Sequence, residues 1–84
     1  MIHTLKTWTQ SFEEIVSNNK RFEIRKNDRD FRVGDRLDLM EYDPTTDTYT
    51  GSHCHRWVTY IMRNDNPFLE LGDKVIMSLT NHEI

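Results

Sequence analysis

Apolar and polar residues alternate with a period of two through most of this chain, and a helical spacing occurs once. A period of two sends successive side chains to opposite faces of a strand, whereas a period near 3.6 makes one stripe along a helix. Ile2 to Lys6 reads as a first short strand. Trp8, Phe12, Ile15 and Val16 then follow at i, i+4, i+7 and i+8 and form one apolar helical stripe. Thr7, with Gln10 three residues on, reads as a capping box at the helix start. Ser17-Asn18-Asn19 ends the helix, because Asn is second only to Gly at a left-handed terminal position. Lys20 to Lys26 alternates again, with Phe22 and Ile24 on one face and Arg21, Glu23 and Arg25 on the other. Asn27 to Asp30 and Val33-Gly34-Asp35 carry turn chemistry. Leu37 and Leu39 mark a strand from Arg36 to Asp43, and Asp43 to Gly51 reads as a loop. His53 to Arg63 is the longest strand, apolar on both faces as if covered on both sides. Asn64 to Pro67 is a loop, and Gly72-Asp73 turns into a last strand from Lys74 to Thr80. Five short strands and one early helix predict an α+β, mainly β fold: a small β-barrel with the helix packed against it.

The length of 84 residues predicts a single domain over residues 1–84, near the lower size limit for independent folding. Two Trp, three Tyr and four Phe supply much of the core area such a short chain needs. Cys54 is the sole cysteine, so no internal disulfide supports the fold, which predicts a reducing compartment. The first residues lack the apolar stretch of a signal peptide, and no run approaches the roughly 18 apolar residues of a membrane span. The expectation is a cytoplasmic protein that makes no contact with membranes.

The net charge of −3 speaks against general nucleic-acid binding, but the distribution is uneven. Residues 20–36 hold seven basic and four acidic side chains, whereas the rest of the chain holds four basic and ten acidic. A local basic stretch on an acidic body suggests a directed anion site rather than an adhesive surface. Within it, Lys20 follows the helix, and Glu23 and Arg25 share a strand face. Arg offers a planar fork for phosphate or a base edge, and Lys a point charge or nucleophile. Glu can orient both or act as a general acid or base. The plainer reading is an ion pair along a surface strand, worth about 0–1 kcal/mol.

Asn18-Asn19-Lys20-Arg21-Phe22-Glu23-Ile24-Arg25 resembles the ASCH-domain signature Gly-x-Lys-x-x-Glu-x-Arg, with Asn18 in place of the Gly. The wider chain is similar to a small family of phage and bacterial proteins, a domain of unknown function placed beside ASCH in the PUA-like clan. The strings Phe22 to Phe31, Val33-Gly34-Asp35, Glu41-Tyr42-Asp43-Pro44 and Val58-Thr59-Tyr60-Ile61 carry that likeness. The resemblance implies a PUA-like barrel with a cleft beside the helix that takes RNA or a nucleotide. It also implies an amidohydrolase role on acylated cytidine with Lys20 as the catalytic group, and the residues of this chain would make Glu23 its partner. Those hydrolases carry a Thr three residues after the Lys; this chain has Glu23 there.

The expected ligand-binding residues are therefore Lys20, Glu23, Arg25, Lys26, Asn27, Asp28 and Arg29. The leading expectation is a monomeric module for RNA or a nucleotide-like ligand. A small hydrolase of modified nucleosides and a phage protein that binds a host protein are the alternatives. No cofactor is expected. His53 and His55 share a strand face and His3 could join them, but a fourth ligand is missing and zinc wants about four. Trp8 and Trp57 could stack on a base, although their periodic positions favour the core.

Overall fold

The computed structural model describes residues 1–64 and 68–84. Its elements run β1 (Ile2–Trp8), α1 (Thr9–Val16), β2 (Phe22–Lys26), β3 (Arg36–Asp43), β4 (Thr48–Met62) and β5 (Lys74–Thr80). They form one five-stranded sheet in the order β1-β3-β4-β5-β2. β1 runs parallel to β3, and the other neighbours are antiparallel. The inward residues Leu5, Leu37, Leu39, Val58, Val75, Met77 and Leu79 pack with Ile15 of α1 and with Phe31. α1 lies against β1 and β3. The α+β, mainly β expectation holds, and the single helix sits where the apolar stripe put it, after the first strand.

The sheet curls until its two edge strands approach each other, but no backbone ladder joins them. Arg25 of β2 reaches across the seam to donate from Nη2 to the Lys6 carbonyl of β1 (2.8 Å). Arg29 does the same from Nη1 to the Thr4 carbonyl (3.0 Å). Backbone groups of alternate residues face the same strand edge, so Thr4 and Lys6 offer successive acceptors there. The barrel is therefore half closed, and side chains span the gap.

Four expectations need correction. β1 continues through Thr7 and Trp8, which pair with Glu41 and Tyr42 of β3. Thr7 is buried and the helix starts at Thr9 without a side-chain cap, because the ladder outcompetes the cap. Trp8 is not core; it is 58% exposed at the strand end. The span from Asp43 to Gly51 is mostly hairpin rather than loop, with Tyr42 opposite Tyr49 and Asp43 opposite Thr48. The Asp43 carboxylate holds the turn by accepting from the Thr45 amide (2.9 Å) and hydroxyl (2.6 Å). Gly51, at φ 94°, lies where the register shifts between Met40 and Tyr42, an insertion that glycine tolerates.

The third correction concerns β4. Val58 pairs with Leu79, but Tyr60 pairs with Ser78 and Ile61 with Met77, so Thr59 is an extra residue. That bulge exchanges the two faces, and both Val58 and Ile61 pack inward. A strand that changes face part-way reads as apolar on both. The fourth correction is β2. Phe22 and Ile24 are 43% and 49% exposed, while Glu23 between them is 2% exposed. Phe22 lies across from Ser78 and Ile24 from Ile76, so the apolar side chains find cross-strand neighbours on the outer face. The loop expected at Asn64 to Pro67 lies, from Asp65 onward, outside the described residues.

Candidate functional site

Helix α1 ends in a turn that Asn18 makes possible. Its φ of 64° is the left-handed conformation anticipated for this position. The Asn18 amide donates to the Ile15 carbonyl (3.0 Å) and the Lys20 amide to the Glu14 carbonyl (2.9 Å). This reversal brings Lys20 back over the helix. Its ammonium contacts the Ser11 hydroxyl and lies 3.7 Å from Glu23 Oε1. On the other side, Arg25 Nε donates to Glu23 Oε2 (2.8 Å). One buried carboxylate thus holds two cations, one on each oxygen. Arg25 Nη2 also donates to the Thr7 hydroxyl (3.3 Å).

Lys20, Glu23 and Arg25 do come together, as the spacing suggested. They line an open cleft of about 310 Å³ with Thr7, Trp8 and Ser11. Lys26, Asp28 and Arg29 lie apart. With Arg25 they line a separate recess of about 150 Å³. Asn27 lines neither; its amide donates to the Asp73 carbonyl (2.6 Å) and ties the turn after β2 to the one before β5.

Three further residues join the cleft: Thr7, which the sequence places at a cap; Trp8, whose spacing favours the core over base stacking; and Ser11, which no sequence pattern singles out. Only the approach of β1 and α1 to β2 makes them neighbours of Glu23. His53 and His55 share the exposed face of β4, with ring centroids 6.0 Å apart, but His3 turns to the buried side. His3 is buried beside Asp35, at 2.7 Å, whereas His55 Nδ1 pairs with Asp38 at 2.9 Å on exposed β4. Cys54 is half-buried inside the sheet. Burial pushes its thiol up, the Arg56 charge opposes that and the Glu23 charge adds to it, so the sulfur stays protonated near neutral pH.

The family model for the domain of unknown function DUF3850 matches residues 2–79. The chain belongs to this family. The match spans every strand but the last residue of β5, and all of the Lys20–Glu23–Arg25 cleft. No curated protein matches the chain.

Proposed function

We propose that this DUF3850 domain is a binding module for a nucleotide or for single-stranded RNA, and that its Lys20–Glu23–Arg25 cleft receives a base. The observation that carries this reading is Glu23: a carboxylate only 2% exposed that nevertheless lines an open cleft, with a cation on each oxygen. A carboxylate oriented in this way can accept from the exocyclic amine of a base, and the Arg25 fork can meet a base carbonyl. Trp8, exposed at the rim, offers a π-face on which a base can stack. The cleft volume of about 310 Å³ falls at the small end of ligand pockets, which suits one nucleoside. The resemblance to ASCH and PUA-like domains points the same way.

Lys20→Ala, Arg25→Ala and Trp8→Ala should each weaken binding of short single-stranded RNA or nucleotides by about 10-fold or more, since each removes a charge-assisted bond or a stacking face. Fluorescence titration at several salt concentrations measures this. The parent's affinity should fall with salt as phosphate contacts release counterions, and Lys20→Ala should flatten that dependence. Parent-like binding by both Lys20→Ala and Arg25→Ala would remove the reading.

Ser11 supports a second reading. Its hydroxyl touches the Lys20 ammonium beside Glu23, which brings a nucleophile, a base and a carboxylate together. In a hydrolase of acylated nucleosides, Ser11→Ala and Lys20→Ala would both abolish release of cytidine from acylated cytidine. Absence of turnover by the parent across a panel of such nucleosides would sink it.

A further inference from the structure

Lys20 also borders a second cavity, distinct from the Glu23 cleft. This one measures about 300 Å³ and is lined by Lys20, Arg21, Arg56, Thr80 and Asn81, among others. Three chain segments build it: the turn after α1, the middle of β4 and the end of β5. The Leu79 amide donates to the Arg21 carbonyl (2.9 Å), which continues the β2–β5 pairing and sets Arg21 beside Thr80 and Asn81. Arg56 approaches from β4, where Nη2 donates to the Ile15 carbonyl at the helix end (3.1 Å) and Nη1 to the His55 carbonyl (2.6 Å).

The charge of this cavity is the informative part. No Asp or Glu among the described residues lines it. Among the described residues, neither Arg21 nor Arg56 has a carboxylate partner; Arg21 Nε donates only to the Asn18 carbonyl (3.0 Å), and its Nη atoms make no hydrogen bond. Arg25, Arg32 and Arg36 are paired with Glu23, Asp30 and Asp38, whereas Arg29 and Arg63 donate to the Thr4 and Phe31 carbonyls, away from this cavity. Two guanidinium groups without a carboxylate partner among the described residues, beside the Lys20 ammonium that Glu23 answers from the neighbouring cleft, match a phosphate, which accepts from several donors and favours the arginine fork.

We propose that Lys20, Arg21 and Arg56 form a phosphate subsite adjoining the Glu23 cleft, with Thr80 and Asn81 at its rim. Lys20 stands between the two cavities, so one ligand can place a base at Glu23 and its phosphate at Arg21 and Arg56. The proposal deepens the nucleotide reading and rests on it for the group that carries the phosphate. Arg56 lies outside the basic stretch of residues 20–36, so charge clustering along the chain could not find it.

The test is an NMR titration of the nitrogen-15-labelled domain at fixed ionic strength. The probes are inorganic phosphate, the four nucleosides, their 5′-monophosphates and RNA dinucleoside monophosphates. Inorganic phosphate should shift the amides of Arg21, Arg56 and Asn81. A 5′-monophosphate should bind about 10-fold or more tightly than its nucleoside, the scale of a charge-assisted hydrogen bond to phosphate. That gain should collapse in Arg56→Ala and in Arg21→Glu. The Arg21 side chain is exposed and outside the core, so Arg21→Glu keeps the test sound if Arg56→Ala misfolds. An equal gain for the dinucleoside monophosphates supports the proposal and identifies an RNA backbone phosphate; a gain confined to the monophosphates supports it and identifies a terminal phosphate. Saturable phosphate shifts that Arg21→Glu abolishes, without binding of any nucleoside, would keep the subsite and discard the base-binding cleft. Absence of phosphate shifts at Arg21 and Arg56, or an undiminished gain in both variants, overturns the subsite.

Discussion

Glu23→Ala should lower the melting temperature by about 10–20 °C and abolish ligand binding in the cleft. Glu23 is 2% exposed and answers both the Lys20 ammonium and the Arg25 guanidinium. Removing one member of a buried charge cluster leaves the others uncompensated, which costs about 3–5 kcal/mol when burial is complete. Here the Lys20 and Arg25 side chains retain 25% exposure and can turn partly to water. A loss of about 2–3 kcal/mol is therefore expected, and each kcal/mol shifts a domain of this size by about 4–8 °C. Glu23→Gln keeps the shape and one acceptor but not the charge, so it should be better folded than Glu23→Ala and still defective in binding. Thermal unfolding followed by circular dichroism, beside the RNA titration, separates the two effects. A Glu23→Ala protein that melts with the parent would show that the carboxylate does not organise this end of the sheet.

Acid should unfold the domain through Asp35. This carboxylate is 5% exposed and accepts from the Met1 ammonium (3.0 Å), His3 Nε2 (2.7 Å) and the Arg32 amide (2.9 Å). Burial pushes the carboxyl up, but the hydrogen bonds from His3, the terminal ammonium and Arg32 outweigh it and hold the group below the ordinary value of 3.8. A carboxyl depressed in the folded state contributes stability that is fully present above its unfolded value. That stability is lost as pH falls through the folded value. Stability should thus hold at neutral pH and decline below about pH 4. Asp35→Asn should cost about 2 kcal/mol at pH 7, the scale of hydrogen bonds to a charged group, and should flatten the decline. Asp43, half-buried, and Asp73, exposed, are also held low, by Thr45 and Lys74, but both are common to the two proteins. Urea midpoints for parent and variant between pH 7 and pH 2 measure the difference. Parallel curves would remove Asp35 from the account.

Much of the cleft was readable in the chain because its parts are local. Lys20, Glu23 and Arg25 lie within six residues, and strand geometry alone puts Glu23 and Arg25 on one face. The left-handed turn at Asn18 followed from side-chain chemistry at a helix end. What escaped notice joins distant segments. Ser11, Thr7 and Trp8 meet Glu23 only because β1 runs beside β3 while β2 closes from the far edge of the sheet. Asp35 reads as a turn residue, yet two of its partners, Met1 and His3, stand more than thirty positions earlier. The inward face of β2 was equally hidden. Alternation shows that Phe22 and Ile24 share a face, but burial there depends on whether partners exist for Glu23.

The chain by itself determined the number and order of the strands, the early helix, and the mixed-charge stretch after it. These follow from periodicity and from turn chemistry, which act between neighbours in sequence. Tertiary structure decided which face of β2 turns inward, and where the bulge in β4 exchanges its sides. It also decided that Arg25 and Arg29 span the open seam, and that Arg56 joins Lys20 and Arg21. Those outcomes depend on long-range pairing and on the cost of leaving a buried charge unanswered, neither of which a local pattern encodes.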